Sequence, residues 1–273
     1  MMECKNCGGS ISEIYCPNCG EKRFDSKELS IGHFLEETFE GLIHFDNKFF
    51  RTVWTLFTKP GQLSVDYVRG RRRQFLQPLQ FFVVVNLLFY LLMMSNPYSA
   101  PLNKYINGTP YKHYYTRQIV DEKLKHNALT LSTYEYIFDD KLNAESKELV
   151  LIFIPLYAFI YWVLFFMYHR RFVEHLVFAT HFVCLVLCYY LLQSYLIEMP
   201  VYLLFKNIDP MVLDTCIKVL IAAVLGTYIG FASRRFYRSR KIWSAVAGVF
   251  TGATFFYLIL IYRMILFYKI LFL

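Results

Sequence analysis

The chain has 273 residues and a formal charge of +8, yet only 18% of its side chains are charged, where a soluble domain carries about 25%. Its 27 Phe and 22 Tyr fall in long stretches almost free of charge, which excludes an ordinary soluble enzyme, a disordered chain and a coiled coil. What remains is an all-α polytopic membrane protein.

Residues 1–24 carry the strongest motif. Cys4-Lys5-Asn6-Cys7-Gly8 and Cys16-Pro17-Asn18-Cys19-Gly20 are two C-x-x-C-G knuckles, tight turns in which the glycine permits a left-handed backbone. Four thiolates in two such turns enclose one structural, tetrahedral Zn2+ ion with no open position. A segment this short has no core of its own, so the metal supplies its folding energy. An iron-sulfur centre shares the ligand type, and a pair of disulfides or a redox pair is the plain alternative. Lys5, Lys22, Arg23 and Lys27 form only a thin basic patch without interleaved aromatics, so a cytoplasmic protein is the expected partner and nucleic acid is not. The opening residues lack the basic and apolar regions of a cleaved leader, so the knuckles are expected in the mature protein.

Residues 30–73 read as cytoplasmic amphipathic or interfacial helices. Ser30 is a suitable N-cap, and Phe34, Leu35, Phe39, Leu42, Ile43, Phe49, Phe50, Val53, Trp54 and Phe57 recur at near-helical spacing. Such a face lies in the headgroup layer or packs beneath the spans. Pro60-Gly61 ends the run, and Arg71, Arg72 and Arg73 then meet the bilayer, where basic side chains attract anionic lipid.

The five-span membrane domain occupies 76–273. Five segments are long and apolar enough to cross a hydrocarbon core as helices: about 76–95, 149–168, 174–197, 211–232 and 242–262. Arg69 to Arg73, Arg170-Arg171 and the Arg234 to Lys241 cluster fall on one side of these spans, which places the N-terminus in the cytoplasm and the C-terminus outside. Cysteine usage agrees, because thiols persist as metal ligands in a reducing compartment. The loop 96–147 is then extracytoplasmic, with surface helices expected around Tyr115 to Ala128 and from Ser132. Beyond the fifth span, Arg263 and Lys269 interrupt an apolar tail that either lies at the interface or extends the helix.

Inside the membrane, Glu174, His175 and His181 are the candidate catalytic or transport residues. Seven residues make nearly two turns, so Glu174, Phe178 and His181 share a face. Ionisable groups at this depth are costly and mark functional sites; a metal, a proton relay or a lipid headgroup suits them. The plain alternative sets Glu174 and His175 beside Arg170 and Arg171, with His181 bonded to a neighbouring helix. Cys184, Cys188 and Cys216 read as small apolar residues, and Asp214 with Lys218 as an i,i+4 pair. Ala222, Gly226 and Gly230, and then Ser244, Gly248 and Gly252, repeat small residues every four positions. This spacing suits a tight antiparallel hairpin, with a homo-oligomer interface as the second use. No Walker loop, G-x-S-x-G, H-E-x-x-H or dinucleotide fingerprint is present.

Taken in order, these elements resemble a bacterial membrane family catalogued as domain of unknown function 3667. The resemblance rests on the paired knuckles, on Asp46 with Arg51-Thr52, Pro60-Gly61, Tyr67, Gly70, Arg71, Arg73 and Pro78, and on the run Glu174-His175-Leu176-Val177-Phe178-Ala179-Thr180-His181. It implies a bacterial inner-membrane protein and supplies no activity. Members carry another histidine two positions after His181, where this chain has Val183, which argues against a metal in the third span. The expected function is a non-enzymatic scaffold, sensor or adaptor whose ribbon binds a protein. The alternative is a transporter or lipid-acting enzyme using Glu174, His175 and His181.

Overall fold

The computed structural model describes residues 2–11, 14–20, 23, 48–93, 98–108, 111–127, 129–204 and 210–272. Ser30 and the amphipathic run up to residue 47 lie outside the described residues. Apart from an antiparallel pair, β1 (Met2–Glu3) and β2 (Ser10–Ile11), the described elements are helices. They run α1 (Lys48–Thr58), α2 (Gln62–Val68), α3 (Pro78–Leu92), α4 (Leu102–Asn107), α5 (Thr116–Asn127), α6 (Leu131–Glu148), α7 (Phe153–Leu164), α8 (Phe172–Gln193), α9 (Met199–Leu204), α10 (Pro210–Tyr237) and α11 (Lys241–Phe272). A π-helical turn, Ser194–Glu198, carries α8 into α9.

Three helical stretches, Phe172–Val201, Thr215–Tyr237 and Lys241–Phe272, are long and apolar enough to cross a membrane, and a fourth is reached if Leu131–Ser146 and Val150–Leu164 make one bent span. The expected first span is the apolar α3, with Pro78 in its first turn, where a missing N–H costs least. Its 15 residues rise only about 22 Å.

The chain divides into two compact units, residues 1–92 with 153–253, and residues 93–152 with 254–273. In the first, α8 is the central element. It packs against α7, α3 and α2, and its middle is buried on every face, with Val177, Ala179, Cys184 and Leu187 fully enclosed. A helix apolar all round belongs inside a bundle. Glu174, in its first turn, accepts from the Arg171 amide at 3.4 Å and so caps an otherwise orphaned donor. The small residues of α10 and α11 meet in antiparallel order. A Cβ added to Gly226 would lie 3.0 Å from the Gly248 carbonyl, one on Gly252 would lie 3.0 Å from the Ala222 carbonyl, and one on Gly230 would lie 3.6 Å from the Ser244 carbonyl. Backbones this close leave room only for glycine at the tightest crossings.

The second unit has its own core around Tyr105. This ring stacks on Phe267 at 5.0 Å and lies 4.7 Å from Tyr111 and 5.9 Å from Phe138. Its hydroxyl donates to the Arg263 carbonyl at 3.0 Å, and burial raises it well above the ordinary phenol value. Arg263 donates to the Tyr111 hydroxyl at 3.0 Å, and Lys269 pairs with Glu145 at 2.8 Å. The two charges that interrupt the apolar tail therefore fasten it: α11 continues unbroken to Phe272 and forms part of this core.

Candidate metal centre and the His181 cleft

The two knuckles turn on Gly8 and Gly20, with φ of 75° and 65°. Each closes with an amide returned to its first cysteine's carbonyl, Gly8 to Cys4 at 2.9 Å and Gly20 to Cys16 at 2.7 Å. The turns bring Cys4 Sγ to 3.6 Å from Cys19 Sγ, and Cys7 Sγ to 3.6 Å from Cys16 Sγ. All four sulfurs lie within 4.8 Å of one another. Four metal–sulfur bonds of about 2.3 Å in a tetrahedron set the sulfurs roughly 3.8 Å apart, so the quartet fits an ion without rearrangement. Cys4 and Cys16 are buried with Ile11, the only apolar support the site has among the described residues. The Cys7 thiol is pushed up to about 12: the Gly9 amide lowers it, but the neighbouring thiols and desolvation outweigh that. Four crowded sulfurs shed their protons readily only when a cation compensates them.

The ribbon rests on the turn before α3. Arg71 Nε donates to the Lys5 carbonyl at 3.0 Å, Gln74 Nε2 donates to Asn6 Oδ1 at 2.9 Å, and the Arg73 guanidinium fills the space where a Gly20 Cβ would stand. Arg71 also pairs with the buried Asp66 at 3.5 Å, while the Arg72 guanidinium lies 4.5 Å over the Tyr67 ring. All three arginines expected at the lipid surface thus touch protein, with Arg71 still half-exposed.

Glu174, His175 and His181 lie on one helix but face different partners. Arg170 grips Glu174 at 2.8 Å and also donates to the Phe236 carbonyl at 3.2 Å. His175 Nδ1 is 2.8 Å from the Tyr237 hydroxyl, and the two rings stack at 5.3 Å. His181 Nδ1 is 2.9 Å from Ser64 Oγ, both buried. Among the described residues the three do not form a cluster able to hold an ion; the cysteine quartet does. The Asp214 side chain lies outside the described residues.

The Ser64–His181 pair closes a small cleft whose lining includes Leu56, Gly61, Phe178 and Tyr228. The Pro60-Gly61 turn brings Ser64 there. Gly61 has φ of 76°, and a Cβ would meet the Ala232 carbonyl at 2.6 Å, so only glycine allows α2 this close to α10. Arg235 donates to the Pro60 carbonyl and Tyr228 to the Leu56 carbonyl, both at 2.9 Å. Ser64 and Tyr237 were invisible to spacing, because each meets its histidine across 117 and 62 residues of chain.

A buried Ser–His hydrogen bond can activate a hydroxyl or, equally, satisfy two polar groups at depth. No curated protein and no solved structure matches the chain. Residues 46–90, which supply α1, the Pro60-Gly61 turn, Ser64 and the arginine turn that seats the ribbon, match the family described as Protein of unknown function (DUF3667).

Proposed function

We propose that this is a bacterial inner-membrane protein of five spans, N-terminus in and C-terminus out, whose cytoplasmic ribbon holds one Zn2+. It acts as a non-enzymatic scaffold, sensor or adaptor that presents the ribbon to a cytoplasmic protein. The observation that carries this reading is the pairing of a closed four-sulfur site with a fixed seat: the donor set leaves no position for substrate, and Arg71, Arg73 and Gln74 hold the ribbon on the membrane domain. Zinc is favoured over an iron-sulfur cluster by sulfur spacing suited to a single ion. Affinity purification of the full chain after crosslinking tests the role. A cytoplasmic protein recovered with the native chain and lost with Cys4→Ser and Cys7→Ser is the expected result; identical recoveries from both would sink it. Reporter fusions at the loops decide the five-span topology, which the basic clusters at Arg69 to Arg73, Arg170-Arg171 and Arg234 to Lys241 support.

A second reading, a transporter or lipid-acting enzyme, draws on the Ser64–His181 bond in its cleft. On that reading His181→Ala abolishes a cellular phenotype at unchanged abundance, and a neutral substitution removes its support.

A further inference from the structure

Helices α7, α8, α10 and α11 end or begin at one edge of the first unit, in the loops around 165–171 and 238–240. Three contacts join the two loops. The Phe165 ring stacks on Tyr237 with centroids 4.0 Å apart, Arg170 donates to the Phe236 carbonyl at 3.2 Å, and Trp243 Nε1 donates to the Leu164 carbonyl at 3.0 Å. The edge is therefore one ledge built from both loops.

Charge on this ledge has one sign. Within 162–185 and 231–250 the only acidic side chain is Glu174, and Arg170 already holds it at 2.8 Å. Arg171, Arg238, Arg240 and Lys241 are exposed, and the first turn of α11 brings no carboxylate to offset them. Cations gathered at the head of a helix oppose its dipole as well as one another, so an anion laid against the ledge relieves both. Apolar surface sits beside the charge: Ile242 is 80% exposed, Met167 68% and Phe166 63%. An edge of this amphipathic kind matches the boundary between headgroups and acyl chains.

The backbone is strained at the same place. Of the described non-glycine residues only Tyr115, His169 and Arg238 have positive φ, and the last two, at 47° and 55°, lie one in each loop. Glycine adopts that conformation more easily than any L side chain. An arginine thus stands where glycine fits the backbone better.

We propose that this ledge binds the headgroup of an anionic phospholipid, with Arg238, Arg240 and Lys241 at the phosphate layer and Phe166, Met167 and Ile242 in the acyl region. Guanidinium forks suit phosphate oxygens, and the net negative headgroup sets this ligand apart from zwitterionic lipid. A soluble acidic protein would match the charge but leave the apolar rim in water. The site is separate from the Arg71 to Arg73 cluster, which touches protein, and it uses neither the ribbon nor the Ser64–His181 cleft.

The test extracts the full chain in maltoside detergent from vesicles holding phosphatidylglycerol and phosphatidylcholine in equal amounts, and measures both retained lipids by mass spectrometry. The native chain should retain phosphatidylglycerol severalfold over phosphatidylcholine. Arg238→Gln combined with Arg240→Gln should bring the two lipids toward parity. Lys59→Gln with Arg69→Gln removes the same charge from exposed side chains elsewhere and should leave the enrichment intact. Equal losses in the two pairs would mean a diffuse charge effect and overturn the site, as would a native chain without enrichment. Displacement of the retained phosphatidylglycerol by polyglutamate overturns the lipid in favour of a soluble acidic partner. If the arginine pair fails to give a single helical species, Arg171→Gln with Lys241→Gln is read by the same criteria. Arg238→Gly should lower the enrichment without lowering the unfolding temperature, since glycine relaxes the backbone; a chain that keeps its enrichment but loses stability has a purely structural arginine there and overturns the assignment.

Discussion

The ribbon and helix α8 are stabilised by opposite means. Around its sulfurs the ribbon buries Ile11 beside Cys4 and Cys16, too little apolar surface to hold two turns in place. By contrast, α8 is enclosed along most of its length and needs no ligand. A ribbon with so small a core is expected to depend on a bound metal where the bundle does not, and Arg71, Arg73 and Gln74 reach it from the turn before α3. This division suits the sensor or adaptor proposed above, for which the ribbon is expected to be lost without unfolding the bundle.

The sharpest way to break that comparison is to remove a ligand. Cys4→Ser should abolish metal binding, because structural four-ligand sites contribute roughly 10–16 kcal/mol of apparent binding energy at neutral pH. Elemental analysis should fall from one metal per chain to none, and residues 2–23 should become protease-sensitive. Helical circular dichroism in detergent should stay unchanged. A bundle that unfolds with the ribbon would show that the two are a single cooperative unit.

Backbone crossings in the bundle come next. Gly61→Ala forces a side chain into a left-handed turn and against the Ala232 carbonyl at 2.6 Å, and strain with overpacking should cost about 2–5 kcal/mol. Gly248→Ala meets the Gly226 carbonyl well inside contact distance and should cost about 1–3 kcal/mol. Gly230→Ala, with its nearest atom at 3.6 Å, serves as the tolerated control. Thermal unfolding in detergent ranks the three, and equal shifts would contradict the antiparallel register.

These crossings also mark how far the sequence is legible. Small residues every four positions line one helix face by helical geometry alone, so the α10–α11 stripe can be read without knowing the fold. The knuckles are legible for the same reason, since each is complete within five residues. His181 is a different case. Its partner Ser64 arrives through the Pro60-Gly61 turn, and no periodicity links positions 117 residues apart. Arg72 reads as a lipid contact because charge predicts exposure, yet the Tyr67 face offers its guanidinium a cation–π seat. The tail past residue 262 is ambiguous because an apolar helix with two charges suits an interface and a protein core alike.

Histidine partners should matter less than crossings. Tyr237→Phe leaves His175 Nδ1 without its 2.8 Å bond but keeps the ring stack, so a loss of about 0.5–2 kcal/mol is expected. Ser64→Ala should fall in the same range. An effect in either variant as large as that of Gly61→Ala would mean that these bonds, rather than the packing of α8, hold the bundle.

The smallest effect should come from the second unit, where a charged pair can be weighed against a buried bond. Lys269 and Glu145 are 2.8 Å apart, but the lysine is 46% exposed, and pairs open to water contribute about 0.2–1 kcal/mol and weaken with salt. Tyr262 instead donates from a buried hydroxyl to the Ser146 carbonyl at 2.6 Å, and losing such a buried bond, which salt does not screen, costs about 0.5–1.5 kcal/mol. Lys269→Ala should therefore shift thermal unfolding less than Tyr262→Phe, and its shift should vanish in high salt. The reverse ranking would mean that charge at its end, and not the aromatic core around Tyr105 and Phe267, keeps the stretch of α11 after Ala253 in this unit.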